Sequence, residues 1–246
     1  MRQIAKLTIL FSMLLMTLNS FAFKDDRQFA KGDDVYVHSL SGLSLRKLAS
    51  TTAGRQAIMK YGAKLTIASR PDLEKTLVVE NIKGYWVEVD YNGIIGYAFT
   101  GFLSRFPAPQ SKSPTAYLSL LEKSGFADAK YTTSKTDRTE TSGPVTDTSI
   151  TLINATILDG FLIARRLFSI PDSLKLPEYQ LNLKMTIEDP EKPESMLSRK
   201  MTVEIEKSGK PMSITLHTRI QGSGSDRSIT VIGENTVKLM ARDFTE

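Results

Sequence analysis

Residues 86–99 have the sequence WVEVDYNGIIGYAF, and this stretch decides the fold class that we expect. Apolar and polar residues alternate before Asn92-Gly93, which is the period of a half-buried β-strand, and a second apolar segment follows. Asn-Gly favours a type I′ turn, because both central residues of that turn need positive φ. The stretch therefore predicts an antiparallel β-hairpin.

Four short apolar segments precede the hairpin, separated by glycines and polar residues. Several short strands within about 70 residues are typical of a small barrel or sandwich. The segments are residues 35–38, 57–62, 63–68 and 77–80.

The last third of the chain alternates in the same way and predicts an antiparallel meander with one apolar face. Turns are expected at residues 208–210 and 222–226. The apolar positions are Leu181, Leu183, Met185 and Ile187, then Met201, Val203 and Ile205, then Met212, Ile214, Leu216 and Ile220, and finally Ile229 and Val231.

Two predicted helices can cover that apolar face, which must be buried against another layer. Ser113-Pro114 is a good helix start, with a capping hydroxyl followed by proline at the first helical position. Residues 160–168 predict a second helix, capped by Asp159 and ended before Pro171, with a buried strand as the alternative. The chain is thus predicted to be mainly β, with a small β-barrel followed by an α+β domain.

Residues 107–114 are rich in proline and serine and predict a linker between two domains, residues 23–106 and 115–246. Residues 1–22 predict a secretory signal peptide, with a basic start, an apolar run and small residues before a cut expected after Ala22. The apolar run has about twelve residues, whereas a membrane-spanning helix needs about twenty, and a retained anchor is the competing interpretation. No transmembrane segment is expected after cleavage.

Loss of Arg2 and Lys6 with the signal peptide takes the formal net charge from +5 to +3. This weak, mixed charge differs from the clustered basic charge of nucleic-acid-binding domains. The chain has no cysteine, which excludes disulfides, thiol enzymes and thiolate metal sites. We expect a periplasmic or secreted protein with no nucleic-acid partner.

Three segments of the first domain resemble the bacterial SH3-like domain. Residues 42–46, GLSLR, are similar to the family's G-L-N-V-R. Residues 59–67 are similar to a family segment in which an apolar residue and Lys-Gly lead into a strand. Residues 86–98 resemble its closing hairpin, W-x-x-V followed by G-x-x-G-W/Y-V, and Leu103 matches its terminal leucine. The resemblance implies an SH3-like barrel, and such domains bind cell-wall or peptide ligands.

Five residues are candidates for ligand binding. Alternation places Trp86 opposite Val87 and Val89, where it can line a groove for peptide or glycan stems with its neighbouring rings. Trp86 closing one end of the barrel is the competing interpretation. Arg46 is expected to hold its own loop through backbone carbonyls, with ligand contact as the alternative. The candidates are Arg46, Tyr85, Trp86, Tyr97 and Phe99.

Catalytic constellations are not recognisable in the sequence. The two histidines, His38 and His217, lie on predicted strands of different domains, His38 at a barrel rim and His217 exposed. We therefore predict no enzyme activity, catalytic residue, cofactor or metal, although an enzyme with an unrecognised C-terminal site is the rival from another class. The expected function is an exported envelope protein that binds peptidoglycan or peptide ligands. The alternative is a periplasmic adaptor or inhibitor that binds an envelope protein.

Overall fold

The computed structural model of the chain describes residues 23–24, 27–74, 76–136, 143–177, 184–206 and 211–245. The predicted signal peptide, Leu181, Leu183 and the predicted turn at residues 208–210 lie outside these ranges. Within them, no helix combines the length and apolar character needed to cross a bilayer.

The described chain is mainly β, as predicted. Its first sheet has nine strands: seven lie on an open path, β4-β3-β8-β7-β5-β2-β9, and β1 and β6 each pair with β7 off that path. The described strands do not close into a barrel. The strands are β1 (Phe23–Lys24), β2 (Asp34–Val37), β3 (Leu43–Arg46), β4 (Arg55–Met59), β5 (Lys64–Ile67), β6 (Thr76–Val79), β7 (Ile82–Tyr91), β8 (Ile94–Phe99) and β9 (Leu103–Ser104).

The second sheet contains the predicted antiparallel meander as β12 to β16, and β11 and β10 extend it beside β16, giving seven strands in the order β10-β11-β16-β15-β14-β13-β12. Residues 130–136 form its edge strand beside β11. The strands are β10 (Lys130–Thr136), β11 (Val145–Ile153), β12 (Lys184–Glu188), β13 (Met196–Ile205), β14 (Pro211–Ile220), β15 (Ser223–Gly233) and β16 (Thr236–Thr245).

The predicted hairpin is present as β7 and β8. Asn92 and Gly93 have φ of 54° and 81°, as the expected turn requires. The turn predicted at residues 222–226 is shorter than expected, because Ser223 already pairs with Ile220 and begins β15. The turn consists of Gln221 and Gly222.

Both predicted helices are present. Helix α1 (Pro114–Lys123) begins after Ser113, whose hydroxyl accepts a hydrogen bond from the Ala116 amide. Helix α2 (Ile157–Leu167) begins earlier than predicted, because Thr156 is its N-cap. Asp159 occupies the third helical position and closes a capping box with Thr156.

One hydrophobic core joins the two sheets. Ile82, Phe99 and Phe102 from the first sheet and its connection pack in the same cluster as α2 and the apolar face of the second sheet. Residues 107–109, in the predicted linker, are buried. A separate cluster fills the first sheet itself, and it includes Leu45 and Val87. The domain boundary at residues 107–114 stays a prediction, while the packing holds the segments on either side of it together.

Candidate functional site

Three of the predicted ligand residues lie on one face of the β7–β8 hairpin. Trp86 is directly paired with Phe99, and Glu88 is directly paired with Tyr97. Val87, from the alternate face of β7, packs in the core of the first sheet. We call Trp86, Glu88, Tyr97 and Phe99 the aromatic strip.

One end of the aromatic strip is covered. Trp86 is 7% exposed and Phe99 is 3% exposed. The Phe99 ring meets the Phe102 ring edge-on, with centroids 5.7 Å apart, inside the cluster that joins both sheets. Tyr85 is also buried, occupies the alternate position of β7, and its amide donates to Thr100 Oγ1 at 3.0 Å. A ligand on the strip therefore meets little of these three rings.

The other end of the strip is open. Arg46 on β3 is directly paired with Tyr97 on β8, and Tyr97 with Glu88 on β7. All three side chains are half-buried. Directly paired residues place their Cβ atoms about 5 Å apart, so a cation, an aromatic ring and a carboxylate stand side by side. We call these three residues the open row.

Arg46 also has the structural role that its sequence context predicts. Its guanidinium donates to the Ala53 carbonyl oxygen at 2.7 Å, which ties the β3–β4 loop to the row. A guanidinium carries five N–H donors, so this bond leaves donors for a ligand. Beside the row, Ile58 and Ile95 are 53% and 49% exposed.

A buried ion pair ties the first sheet to the start of α2. Asp159 Oδ1 accepts hydrogen bonds from Ser104 Oγ at 2.7 Å and from Arg27 Nη1 at 3.3 Å. Arg27 also donates to the backbone carbonyls of Thr100 and Leu103. The two charged side chains are 3% and 6% exposed, so their opposite charges lie close together away from water.

His38 is buried rather than placed at a rim, and the sequence prediction for it was wrong. Its Nε2 lies 3.0 Å from the Phe106 carbonyl oxygen, while Nδ1 has no hydrogen-bond partner among the described residues. Burial lowers the pKa of His38 to about 4, although the Phe106 carbonyl and the Asp159 charge oppose this shift. His38 is therefore a neutral core residue at neutral pH.

His217 lies on the second sheet and is half-buried rather than exposed. Its Nδ1 is 3.0 Å from Asp226 Oδ1, and Arg219 donates to the same oxygen at 2.8 Å. Burial by itself raises the pKa of Asp226, but the hydrogen bonds from Arg219 and His217 outweigh it and hold that pKa below its usual value. In the described part of the chain, no group of three or more His, Asp or Glu side chains is arranged to hold a metal ion.

Comparison with known proteins gives no relative for this chain. It has no significant match to a protein-family model, to a curated protein or to a solved structure.

Two features of this region were missed from the sequence. Glu88 beside Tyr97 was recoverable, because the Asn92-Gly93 turn fixes the hairpin register and pairs these positions. The Arg27–Asp159 pair joins residues 132 positions apart, and no local pattern signals it.

Proposed function

We propose that the protein is an exported, non-enzymatic envelope protein whose open row binds a short peptide, and that this peptide is the stem of cell-wall peptidoglycan. The observation that carries the proposal is the direct pairing of Arg46, Tyr97 and Glu88 across three strands. The row offers opposite charges on either side of an aromatic ring.

This arrangement suits a short peptide that carries both a carboxylate and an amine. Arg46 can take a carboxylate in a two-pronged hydrogen bond, which a planar guanidinium favours. Glu88 can accept from an ammonium group at the other side of the row. Tyr97 stands between them and offers an apolar ring for the aliphatic part of the ligand and a hydroxyl for a hydrogen bond.

The resemblance to the bacterial SH3-like domain supports the same ligand class. The three resembling segments lie on or next to β3, β4, β5, β7 and β8. In the first sheet, β3 pairs with β8, β8 with β7, and β7 with β5, so the segments form one continuous patch around the open row. The signal-like residues 1–22 support export to the compartment where the wall lies.

Co-sedimentation of the chain lacking residues 1–22 with purified sacculi tests the proposal. We expect the wild type to pellet and Tyr97→Ser to pellet more weakly. Tyr36→Ser is the matched control, because Tyr36 is a half-buried tyrosine on β2 of the same sheet, away from the row. Failure of the wild type to pellet, or equal loss in both variants, would overturn the proposal.

An envelope adaptor is the second candidate, and the exposed Ile58 and Ile95 beside the row favour it. Apolar side chains next to charged ones are typical of protein-binding surfaces. Cross-linking in the envelope distinguishes the two candidates. A protein partner captured through residue 95 without any sacculus binding would support the adaptor, whereas sacculus binding that Tyr97→Ser weakens would contradict it.

A further inference from the structure

The second sheet extends beyond the helix that covers it. Helix α2 packs closely on the middle of β15 and β16, where a Cβ atom added to Gly160 would lie 2.6 Å from Ile229 and 2.9 Å from Val237. Asp243 lies four residues past Leu239 on β16, which is about 13 Å along the strand. No α2 residue is among those that border the cavity at that end of the sheet.

A cavity of about 430 Å³ lies at this uncovered end. That volume is in the range of small-ligand sites, about 300–1,000 Å³. Its floor contains a polar row across four adjacent strands, because Thr146 is directly paired with Asp243, Asp243 with Ser225, and Ser225 with Thr218.

The next row of the floor is polar on β16 and β15 and apolar on β14 and β13. Thr245 is directly paired with Ser223, Ser223 with Ile220, and Ile220 with Met196. Pro144 also borders the cavity and adds an apolar group, whereas the Phe244 ring lies with Gly224 and Arg219 on the alternate face of the sheet. The cavity therefore presents hydroxyls along one side and apolar groups along the other.

The hydroxyls of the floor are free to bind. Within the described residues, the side chains of Thr146, Thr218 and Ser225 make no hydrogen bond to protein. On the opposite face of the same sheet, Thr132 Oγ1 and Ser149 Oγ lie 2.7 Å apart and bond to each other. The carboxylate of Asp243 is 57% exposed and pairs with Arg227 through one oxygen.

We propose that this cavity is a saccharide-binding site. Sugar hydroxyls both donate and accept, as serine and threonine hydroxyls do, and Asp243 adds a strong acceptor. The apolar half of the floor suits the C–H face of a sugar ring. A peptide strand is less suitable, because it binds through backbone groups and those of the sheet floor are already paired within the meander. The choice of sugar rests on the proposed function, which makes N-acetylated wall glycan the occupant.

The probe is the soluble trimer of N-acetylglucosamine, titrated into the chain lacking residues 1–22 by calorimetry. The test variant is Thr218→Val with Ser225→Ala, which removes two directly paired hydroxyls from the cavity. The matched control is Thr215→Val with Ser228→Ala, since this pair lies directly opposite each other on the same two strands but on the other face. Thermal unfolding of both variants checks that each is folded.

We expect the wild type and the control to bind the trimer and the test variant to bind about tenfold more weakly, from two hydrogen bonds lost. No binding by the wild type, or the same affinity in both variants, would overturn the proposal. The trimer carries no peptide, so its binding does not depend on the open row. Stem-peptide binding without trimer binding would reject this site alone, and the reverse would reject the proposed function alone.

Discussion

The two ends of the aromatic strip differ in what covers them, although they belong to the same face of one hairpin. Trp86 and Phe99 at one end are 7% and 3% exposed, and Phe99 packs in the core shared by both sheets. Tyr97 and Glu88, the next pair on the same face, are half-buried at an open surface. Strand alternation sets the face of a side chain, whereas the packing of distant segments decides whether that side chain is core or surface.

The same contrast applies to charges. Arg27 and Asp159 are an ion pair where the first sheet meets the start of α2, with side chains 3% and 6% exposed. Asp147 and Arg242 are an ion pair on the second sheet, with side chains 28% and 40% exposed. An ion pair removed from water depends on its partner far more than one that water can reach.

The largest effect is expected from Asp159→Ala. This change removes the carboxylate that lies 3.3 Å from the buried Arg27 guanidinium and also removes the capping box of α2. We expect the free energy of unfolding to fall by about 3–5 kcal/mol, as for the loss of one partner of a buried pair. Urea unfolding followed by circular dichroism measures this free energy. A loss below about 1 kcal/mol would mean that the packing of the first sheet on α2 does not depend on the pair.

Phe99→Ala and Tyr97→Ala compare the stability contributions of the two ends of the aromatic strip. Phe99→Ala empties a site in the shared core, and such changes cost about 3–5 kcal/mol, which is the loss we expect. Tyr97→Ala, at the open end, should cost no more than about 1 kcal/mol. Equal losses for the two variants, measured by the same urea titration, would remove the distinction between core and surface.

His38 should make the stability depend on pH. Its pKa in the folded chain is about 4, against a usual value of 6.5, so the unfolded chain binds a proton more readily. The contribution is fully present above about pH 6.5 and is lost as the pH falls towards 4, and about 2 kcal/mol of it disappears between pH 7 and pH 5.

The test compares wild type with His38→Gln at pH 7 and pH 5. Carboxylates titrate in both proteins, so the difference between the two pH profiles isolates His38. The variant should lose about 2 kcal/mol less than the wild type on acidification. Identical pH profiles would show that His38 is not a buried neutral residue.

The smallest effect is expected from Asp147→Ala. Asp147 accepts two hydrogen bonds of 2.8 Å from Arg242, but water reaches both side chains. Pairs of this kind contribute about 0.2–1 kcal/mol, so the midpoint of urea unfolding should move little. A loss as large as that of Asp159→Ala would contradict the contrast between the two ion pairs.

Local chemistry made much of the fold predictable. Asn92-Gly93 specified the hairpin, Ser113-Pro114 specified the start of α1, and the alternating residues of the last third specified the meander. Each signal depends on neighbours in sequence, because turn geometry, helix capping and strand period are local properties. The same reasoning found Tyr97 and Arg46, which share the open row.

The parts that were missed depend on distant contacts or on an ambiguous glycine pattern. His38 is buried with the Phe106 carbonyl at hydrogen-bond distance and Asp159 of α2 close enough to act on its pKa, and nothing in residues 35–38 indicates that. Residues 222–226 alternate glycine and serine, which predicted a turn, but Ser223 and Ser225 lie on β15 and line the cavity. Glycine is unusual inside a strand and common in turns, so the composition of a glycine-rich strand resembles that of a turn.

The most direct test of the open row is a calorimetric titration of a soluble peptidoglycan stem peptide into wild type, Tyr97→Ser and Tyr36→Ser. The account predicts that wild type and Tyr36→Ser bind the peptide with similar affinity. Tyr97→Ser should bind at least about tenfold more weakly, because it loses the ring between the two charges. Unchanged affinity in Tyr97→Ser, or no binding by the wild type, would contradict the assignment of the row as the peptide site.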